Sequence, residues 1–161
     1  MSEITPLVSI VVPVVRDTPQ LLELLVTLQP EAALGLCQVV VVNGDATDDS
    51  IRVLHQRFPF VQWVTSSPGR GQQMNVGAAA STGRWLLFLH ADVRLDHRWR
   101  TILQEADAQS AVVGGAFAFS IASSYWVARV IEKGVAARVR WLRLPYGDQA
   151  FFVRRKVFEQ L

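Results

Sequence analysis

The sequence predicts an α/β protein whose mainly parallel sheet carries helices on both faces. Short runs rich in valine, isoleucine and leucine alternate along the chain with segments of helical periodicity. These runs are continuously apolar instead of alternating with polar residues, which is typical of strands buried on both faces. The chain has 161 residues, half of them hydrophobic, and therefore fits a single domain over residues 1–161 with a sizeable core.

The first strand and helix lie near the N-terminus. A β-branched run at residues 8–12 predicts a strand that is broken by Pro13. Thr18 is expected to cap the next helix, with Pro19 in its first turn. The apolar face of this helix carries Leu21, Leu24, Leu25 and Leu28.

Two further β-α units repeat this pattern. The valines at residues 39–42 predict a second buried strand, followed by a turn and a helix that begins near Thr47 or Asp48. Residues 61–65 predict a third strand. After a glycine-containing loop, a helix of small residues is expected to end near Gly83.

The rest of the chain continues the alternation of strands and helices. The apolar run from residue 85 predicts a fourth buried strand that ends at His90, and Asp96 is expected to cap the helix that follows it. Residues 112–119 predict a fifth strand and residues 125–141 a longer helix. A final short strand is expected at residues 150–153.

Composition limits the partners of the chain. A net charge of +2 gives no signal for binding a polyanion, so no nucleic-acid partner is expected. A set of basic residues toward the C-terminus is interpreted as solvated, with contact to a diphosphate or an anionic membrane surface as the alternative. This set is Arg138, Arg140, Arg143, Arg154, Arg155 and Lys156.

The sequence favours the cytoplasm, with the inner face of the membrane as an alternative location. The single cysteine, Cys37, excludes a disulfide within the chain and is expected to be a buried, unreactive thiol. The N-terminus has no basic segment followed by an apolar stretch and a cleavage site. No apolar run approaches the roughly 20 residues that span a bilayer.

Polar residues follow each of the first four predicted strands. The carboxyl ends of parallel strands share one edge of the sheet, and open α/β sheets bind ligands there. We therefore expect one functional site at this edge. The residues are Asp17 after the first strand, Asn43 to Asp45 after the second, Arg70 after the third, and His90 with Asp92 after the fourth.

His90 and Asp92 end the most apolar segment of the chain. Because side chains alternate along a strand, positions two apart lie on the same face, and both side chains could approach one divalent cation that holds a phosphate-rich ligand. The alternative is a strand end followed by a helix cap.

Two common nucleotide-binding motifs are absent. No Gly-x-Gly-x-x-Gly follows the first strand, which argues against an ordinary Rossmann oxidoreductase, and Met74 occupies the third glycine position of the similar stretch at residues 69–74. The sequence also lacks Gly-x-x-x-x-Gly-Lys-Ser/Thr, which excludes a P-loop.

Several segments form an ordered set with regular spacing. They are residues 8–13 with Asp17, residues 39–48, Gly69-Arg70-Gly71 with Asn75 and Gly77, and Leu89-His90-Ala91-Asp92. This set resembles the family 2 glycosyltransferases of the GT-A fold. More narrowly, residues 70–75, 88–92, 114–117 and 145–149 are similar to a bacterial subgroup with His-Ala-Asp in place of the family's Asp-x-Asp.

The resemblance implies an enzyme that moves a sugar from a nucleotide-diphosphate donor, most simply a UDP-sugar, to an acceptor hydroxyl with inversion. It also implies a divalent cation. Asp92 matches the last carboxylate of Asp-x-Asp, and His90 takes the place of the first, where its softer imidazole favours Mn²⁺ over Mg²⁺. Alternatively, His90 only donates a hydrogen bond to the diphosphate.

The same resemblance implies the donor-binding residues. Asp17 matches the family's acidic residue after the first strand. Asn43 with Asp45 falls where the family binds base and ribose, although an amide at Asn43 could recognise several bases. Arg70 matches a basic position that pairs with a phosphate, with a solvated loop charge as the alternative. Pro13, Asn75 and Ala91 complete the donor-binding set.

The acceptor side lies in the last third of the chain. Asp148 matches the general base that deprotonates the acceptor hydroxyl, with Tyr146 and Gln149 beside it; the alternative for Asp148 is a turn aspartate. Gly114 and Gly115 either let the backbone approach a ligand or mark a bulge or tight sheet contact.

Other functions stay open. The first rival is a degenerate or truncated homologue that binds nucleotide sugars without transfer, because His90 and Asn43 depart from the family and the chain ends within a predicted helix. A sugar nucleotidyltransferase is a more distant alternative, because no glycine-rich basic loop follows the first strand. A signalling receiver domain is disfavoured, because Lys133 and Lys156 are poorly placed to act as its switch lysine. An apolar C-terminal end leaves self-association open, and Trp126 with Val130 leaves a membrane-facing patch as the alternative to core packing.

Overall fold

The computed structural model describes residues 5–117 and 150–161, which form one six-stranded sheet with helices packed against it. None of the described helices is long and apolar enough to cross a bilayer. The strands are β1 (Val8–Val14), β2 (Cys37–Asn43), β3 (Val61–Thr65), β4 (Trp85–Phe88), β5 (Gly114–Ala116) and β6 (Phe151–Arg154). The helices are α1 (Thr18–Ala33), α2 (Arg52–Arg57), α3 (Arg70–Ala79), α4 (Trp99–Ala108) and α5 (Arg155–Phe158), with a 3₁₀ turn at Asp49–Ile51 before α2.

The sheet has the strand order β3-β2-β1-β4-β6-β5. β1 pairs in parallel with the whole of β2, ending with Val14 opposite Asn43. On its other side β1 pairs in parallel with β4, but only as far as Val11 opposite Phe88. β6 lies antiparallel between β4 and β5. The predicted α/β class with a mainly parallel sheet is confirmed.

Helices cover both faces of the sheet, as the sequence predicts. On one face, α1 and α4 contribute buried residues such as Leu25 and Leu103 to a cluster that includes Ile10 of β1. On the other face, Ala78 of α3 belongs to a second cluster with Val11. Continuous burial of β1, from Val8 to Val14, follows from this coverage on both sides.

Pro13 does not break β1, contrary to the prediction. The Val11 carbonyl accepts a hydrogen bond from Leu89 N, and the Val14 carbonyl accepts one from Gly44 N, so Pro13 faces the β4 side of β1. β4 has already ended opposite Val11. The N–H that proline lacks is therefore not needed by a neighbouring strand, which is the condition under which a sheet tolerates proline.

Two predicted helix starts shift by a few residues. Thr18 is the first residue of α1 and Asp17 occupies the cap position, while the Thr18 hydroxyl lies 2.6 Å from that of Ser50. Asp96 precedes the cap position of α4: its carboxylate accepts from Arg98 N at 2.8 Å, and its carbonyl accepts from Trp99 N at 2.9 Å. It thus organises the turn that leads into the helix.

The fifth strand begins later than predicted. A turn in which Val112 N donates to the Gln109 carbonyl at 3.0 Å delays pairing until Gly114. Residues 118–119 of the predicted strand, and the predicted helix at residues 125–141, lie outside the described residues.

Cys37 begins β2 and is buried. Burial raises the pKa of its thiol to about 12, with a smaller contribution from the charge of Glu31. The predicted burial of Cys37 is confirmed, and the raised pKa disfavours the thiolate, which is the reactive form.

Candidate functional site

A crevice opens at the carboxyl edge of the sheet, where β1 and β4 lie side by side. After β1 the chain continues to β2 on one side of β1, whereas β4 pairs with the other side of β1. The strand order therefore reverses between β1 and β4. Open α/β sheets bind ligands at such a point. The crevice has a volume of about 240 Å³. Its lining is Pro13, Arg70, Gly71, Met74, Phe88, Leu89, His90 and Phe151.

Three residues proposed from the sequence for the donor and metal sites line this crevice together: Pro13, Arg70 and His90. Pro13 is buried near the end of β1, Arg70 is the first residue of α3, and His90 follows β4. The structure thus brings side chains from distant parts of the sequence to one edge. Their roles in binding a donor stay predictions.

The crevice also has an apolar wall that the sequence analysis did not single out as part of the site. Phe88 and Phe151 stack with their ring centroids 4.8 Å apart, and Met74 of α3 lies with them along the lining. Phe151 reaches the crevice because β6 pairs antiparallel with β4, placing Phe151 opposite Phe88. No local pattern in the sequence reports this pairing.

A second cavity lies beside the first, at the ends of β1 and β2. It has a volume of about 530 Å³, and we call it the β1–β2 cavity. Of the predicted donor-binding residues, Asp45 lies in it. Its lining is Arg16, Thr18, Pro19, Asp45, Thr47, Asp48, Asp49 and Ser50.

Asp45 is held by two partners within this cavity. One carboxylate oxygen accepts from the Thr47 hydroxyl at 2.6 Å and from Thr47 N at 3.0 Å, and the other pairs with Arg16 Nε at 2.8 Å. The Thr47 hydroxyl, then Arg16, lowers the pKa of Asp45 to about 2. The sequence analysis did not assign Arg16 or Thr47 to the site: Thr47 was considered only as a helix start within the segment 39–48, and the pairing of Arg16 with Asp45 depends on tertiary structure.

The backbone of Arg16 adopts a left-handed conformation, with φ of 59°. Residues other than glycine adopt this conformation infrequently. The loop after β1 thereby turns sharply before α1, and the Arg16 guanidinium reaches Asp45 from the neighbouring strand end.

Asn43 and Asp17 are engaged within their own loops. The Asn43 amide is buried; it donates to the Asp45 carbonyl at 2.8 Å and accepts from Asp45 N at 2.9 Å, which closes the turn after β2. The exposed Asp17 carboxylate accepts from Val15 N at 3.2 Å. Contact of either residue with a nucleoside remains a prediction.

The residues proposed as metal ligands lie in a turn, not in a strand. β4 ends at Phe88, and Val93 N donates to the His90 carbonyl at 3.1 Å. The argument that alternation along a strand places His90 and Asp92 on one face is therefore wrong. His90 is half-buried, Ala91 between them is buried, and Asp92 is exposed.

His90 and Asp92 are the ligands that the local chemistry offers to a cation. Over residues 5–117 and 150–161, no three histidine, cysteine, aspartate or glutamate side chains converge to hold a metal ion. A cation held by one or two protein ligands and by phosphate oxygens of a substrate is the usual arrangement for Mg²⁺ in phosphate-binding sites. The donor set therefore fits a cation that binds together with a diphosphate.

The first turn of α3 contributes Arg70 and Gly71 to the crevice. The first turn of a helix presents free backbone N–H groups and favours anionic ligands. Asn75, predicted to bind the donor, lies exposed on α3 and lines neither cavity.

Gly114 and Gly115 make a tight sheet contact, one of the alternatives that the sequence left open. A Cβ added to Gly114 would lie 2.9 Å from the Phe152 carbonyl oxygen, and one added to Gly115 would lie 2.8 Å from Phe152 Cζ. The two glycines thus let β5 approach β6.

Tyr146, Asp148 and Gln149 lie outside the described residues.

Comparison with solved structures shows which fold this is. A mannosyltransferase from Pyrobaculum calidifontis, in complex with GDP-Man and Mn²⁺, is 21% identical with a TM-score of 0.63, over 96% of this chain and 46% of that chain. Glucosyl-3-phosphoglycerate synthase from Mycobacterium tuberculosis, in complex with Mn²⁺, UDP and glucosyl-3-phosphoglycerate, is 16% identical with a TM-score of 0.67, over 97% and 59%. The chain therefore spans only about half the length of these proteins, whose GT-A fold it shares.

Sequence comparison adds the family. No curated protein sequence matches the chain significantly. The family model described as glycosyl transferase family 2 matches residues 9–161, which is nearly the whole chain. The chain therefore belongs to glycosyl transferase family 2.

Proposed function

We propose that this domain moves a sugar from a nucleotide-diphosphate donor to an acceptor hydroxyl, with inversion at the anomeric carbon. The observation that carries the proposal is the crevice between β1 and β4, where Pro13, Arg70 and His90 meet in a member of glycosyl transferase family 2. A basic side chain, an imidazole and a helix N-terminus at one edge suit a ligand with phosphate groups.

The donor is proposed to lie along the carboxyl edge of the sheet, from the β1–β2 cavity to the crevice. The nucleoside would occupy the β1–β2 cavity near Asp45, and the diphosphate would reach Arg70 and His90. The two related structures hold UDP and GDP-Man. We propose a UDP-sugar, with a GDP-sugar as the alternative outcome of the test below.

The Asp92 carboxylate and the His90 imidazole would hold the cation, with Mn²⁺ preferred because of the imidazole. When bound, the cation neutralises negative charge that develops on the departing diphosphate. The Arg70 guanidinium stabilises the same negative charge by pairing with a phosphate. The His-Ala-Asp sequence places the chain, in our proposal, in a bacterial subgroup of the family.

The acceptor hydroxyl attacks the anomeric carbon from the face opposite the diphosphate. A new carbon–oxygen bond forms to the acceptor while the bond to the diphosphate oxygen breaks, which inverts the configuration. The hydroxyl proton passes to the Asp148 carboxylate, which acts as the general base. A carboxylate within hydrogen-bond reach performs this task with an ordinary pKa.

Calorimetric titration with nucleotide sugars tests the proposal. UDP- and GDP-sugars are titrated with Mn²⁺, with Mg²⁺ and with a chelator, into the wild type and into Asp92→Ala. Glu105→Ala serves as the matched control, because Glu105 is an exposed carboxylate on α4 away from both cavities. We expect metal-dependent binding of one donor in the wild type and the control, and loss of that binding in Asp92→Ala.

Two results would contradict the proposal. If no nucleotide sugar binds under any of the three conditions, the proposed donor site is wrong. If Asp92→Ala binds as well as the wild type, Asp92 does not hold a cation.

A further inference from the structure

Gln73 is a buried polar residue at the centre of the candidate site that does not line either cavity. It lies on the inner face of α3 and is only 3% exposed. Its backbone N–H donates to the Gly69 carbonyl at 2.9 Å, which fixes it one turn after the start of the helix. A long amide side chain at such a position requires partners for its polar atoms.

The side-chain nitrogen of Gln73 donates to two different strands. Gln73 Nε2 lies 2.9 Å from the Val14 carbonyl oxygen of β1 and 2.9 Å from the Val42 carbonyl oxygen of β2. The amide NH₂ group carries two hydrogens, so one hydrogen can serve each carbonyl. The amide therefore joins the ends of β1 and β2 to α3.

The same amide lies against the turn that follows β2. Gly44 N donates to the Val14 carbonyl at 2.9 Å, so that oxygen accepts from both Gly44 and Gln73. A Cβ added to Gly44 would lie 2.9 Å from Gln73 Nε2. The turn, which continues into Asp45, is thus fitted directly to the Gln73 amide.

We infer that Gln73 is a positioning residue of the donor site. It fixes the relative positions of three segments: the loop after β1, the turn after β2 and the first turn of α3. These segments carry Arg16, Asp45 and Arg70 respectively, which line the two cavities. The inference rests on the proposed function, because it assigns Gln73 to the binding of the same nucleotide-diphosphate donor.

Gln73→Met tests the inference, because methionine has similar length and no donor. Its matched control is Gln72→Met, since Gln72 is the exposed preceding residue of the same helix. UDP and GDP are titrated with Mn²⁺ at a temperature where each variant is folded. We expect Gln73→Met to bind the nucleotide about tenfold more weakly or worse, and Gln72→Met to bind as the wild type does.

Amide hydrogen exchange supplies a readout that does not depend on a ligand. In Gln73→Met we expect faster exchange at Gly44 N and Thr47 N, while Leu25 in α1 keeps its protection. If the wild type binds a nucleotide and Gln73→Met binds it equally well, the inference is overturned and the proposed function stands. If the wild type binds no nucleotide, the proposed function fails and the donor-site role of Gln73 fails with it. If the wild type binds and exchange at Gly44 is unchanged in Gln73→Met, the inference alone is overturned.

Gln73→Glu separates hydrogen bonding from packing, and covers the case in which Gln73→Met does not fold. Glutamate has nearly the same shape as glutamine, but its ionised form has no donor and its protonated form has one. We expect the affinity of Gln73→Glu, relative to the wild type at the same pH, to rise as the pH falls from 8 to 5. A variant equal to the wild type at every pH would overturn the inference.

Discussion

The Asp45 carboxylate shows how single residues shape this site. It accepts hydrogen bonds from Thr47, two positions later, and pairs with Arg16 from the loop after β1. Both partners favour the charged form of the carboxylate. A residue singled out from its place after a strand and from the family resemblance is thus part of a defined network.

Titration of Asp45 checks this network. The pKa of the carboxyl is lowered from 3.8 to about 2, with the Thr47 hydroxyl as the largest cause. A lowered pKa in the folded state stabilises the protein above the ordinary pKa, and this contribution is lost as the pH falls from about 4 toward 2. We expect Thr47→Val and Arg16→Ala each to raise the pKa of Asp45, measured by NMR of the carboxyl carbon.

A wild-type Asp45 that titrates at the ordinary value would contradict the network. Equal pKa values in the wild type and in Thr47→Val would show that the hydroxyl contributes nothing.

Asp148 carries the chemical step in the proposed function. We expect Asp148→Asn to leave the affinity for the nucleotide sugar nearly unchanged and to reduce transfer by about 10²–10⁴-fold, because an amide cannot accept the proton of the acceptor. Release of nucleoside diphosphate from a bound donor, with water or an added acceptor, measures the rate. Retained turnover would remove Asp148 from the role of general base.

Sequence reasoning found the residues whose position follows from strand order, and it missed those that depend on three-dimensional contacts. Arg70 and His90 were predicted because each follows a strand, and Pro13 was implied by the family resemblance. Arg16 and Phe151 were missed, since pairing with Asp45 and stacking on Phe88 follow from tertiary structure.

At the scale of elements, α3 connects the sheet to the site. Its buried face packs on β1 and β2, and its first turn lines the crevice. Gly77 allows this close approach: a Cβ there would overlap Val11 Cγ1 and lie 2.9 Å from Val42 Cγ2. The backbone of α3 therefore lies as near to the strands as a residue without a side chain permits.

A pair of glycine substitutions in α3 tests this packing. We expect Gly77→Ala to destabilise the protein by about 1–3 kcal/mol, because neither β1 nor β2 can move away from the added methyl group. Gly71→Ala is the control, since a Cβ there meets no described atom within 4 Å. The control should be neutral or stabilising by up to about 1 kcal/mol, as alanine favours helix.

Denaturant unfolding of both variants measures these changes. Equal stability of Gly77→Ala and Gly71→Ala would contradict the close approach of α3 to the sheet.

Elements with strong periodicity were predicted well, and the way they pair was predicted less well. The leucines of α1 and the valines of β2 indicate their elements directly, and both are buried as expected. The antiparallel direction of β6 has no signature in its four residues, Phe151–Arg154. The end of β4 at Phe88 was also missed, because Leu89 continues the apolar run and is buried.

At the scale of the whole molecule, few protein side chains are proposed as ligands for the cation. Among residues 5–117 and 150–161 only His90 and Asp92 are proposed ligands, so the diphosphate would complete the coordination. Binding of Mn²⁺ and of nucleotide should then be linked, each strengthening the other by the same factor.

Paramagnetic resonance of free Mn²⁺ measures this linkage. We expect the affinity of the wild type for Mn²⁺ to rise roughly tenfold or more when UDP or GDP is present. In Asp92→Ala we expect no such rise. Mn²⁺ binding of equal strength with and without nucleotide would indicate a complete metal site in the protein alone.

The position of β6 along the chain also determines when the wall of the crevice between β1 and β4 is completed during synthesis. The parallel strands β1 to β4 emerge from the ribosome in order and can pair as they appear, but Phe151 supplies one wall of the crevice and separates β4 from β5. A nascent chain that stops before Phe151 contains both β1 and β4, but its crevice is open on the side that Phe151 lines. The crevice therefore gains the wall formed by Phe151 only after β1 to β5 have been synthesised.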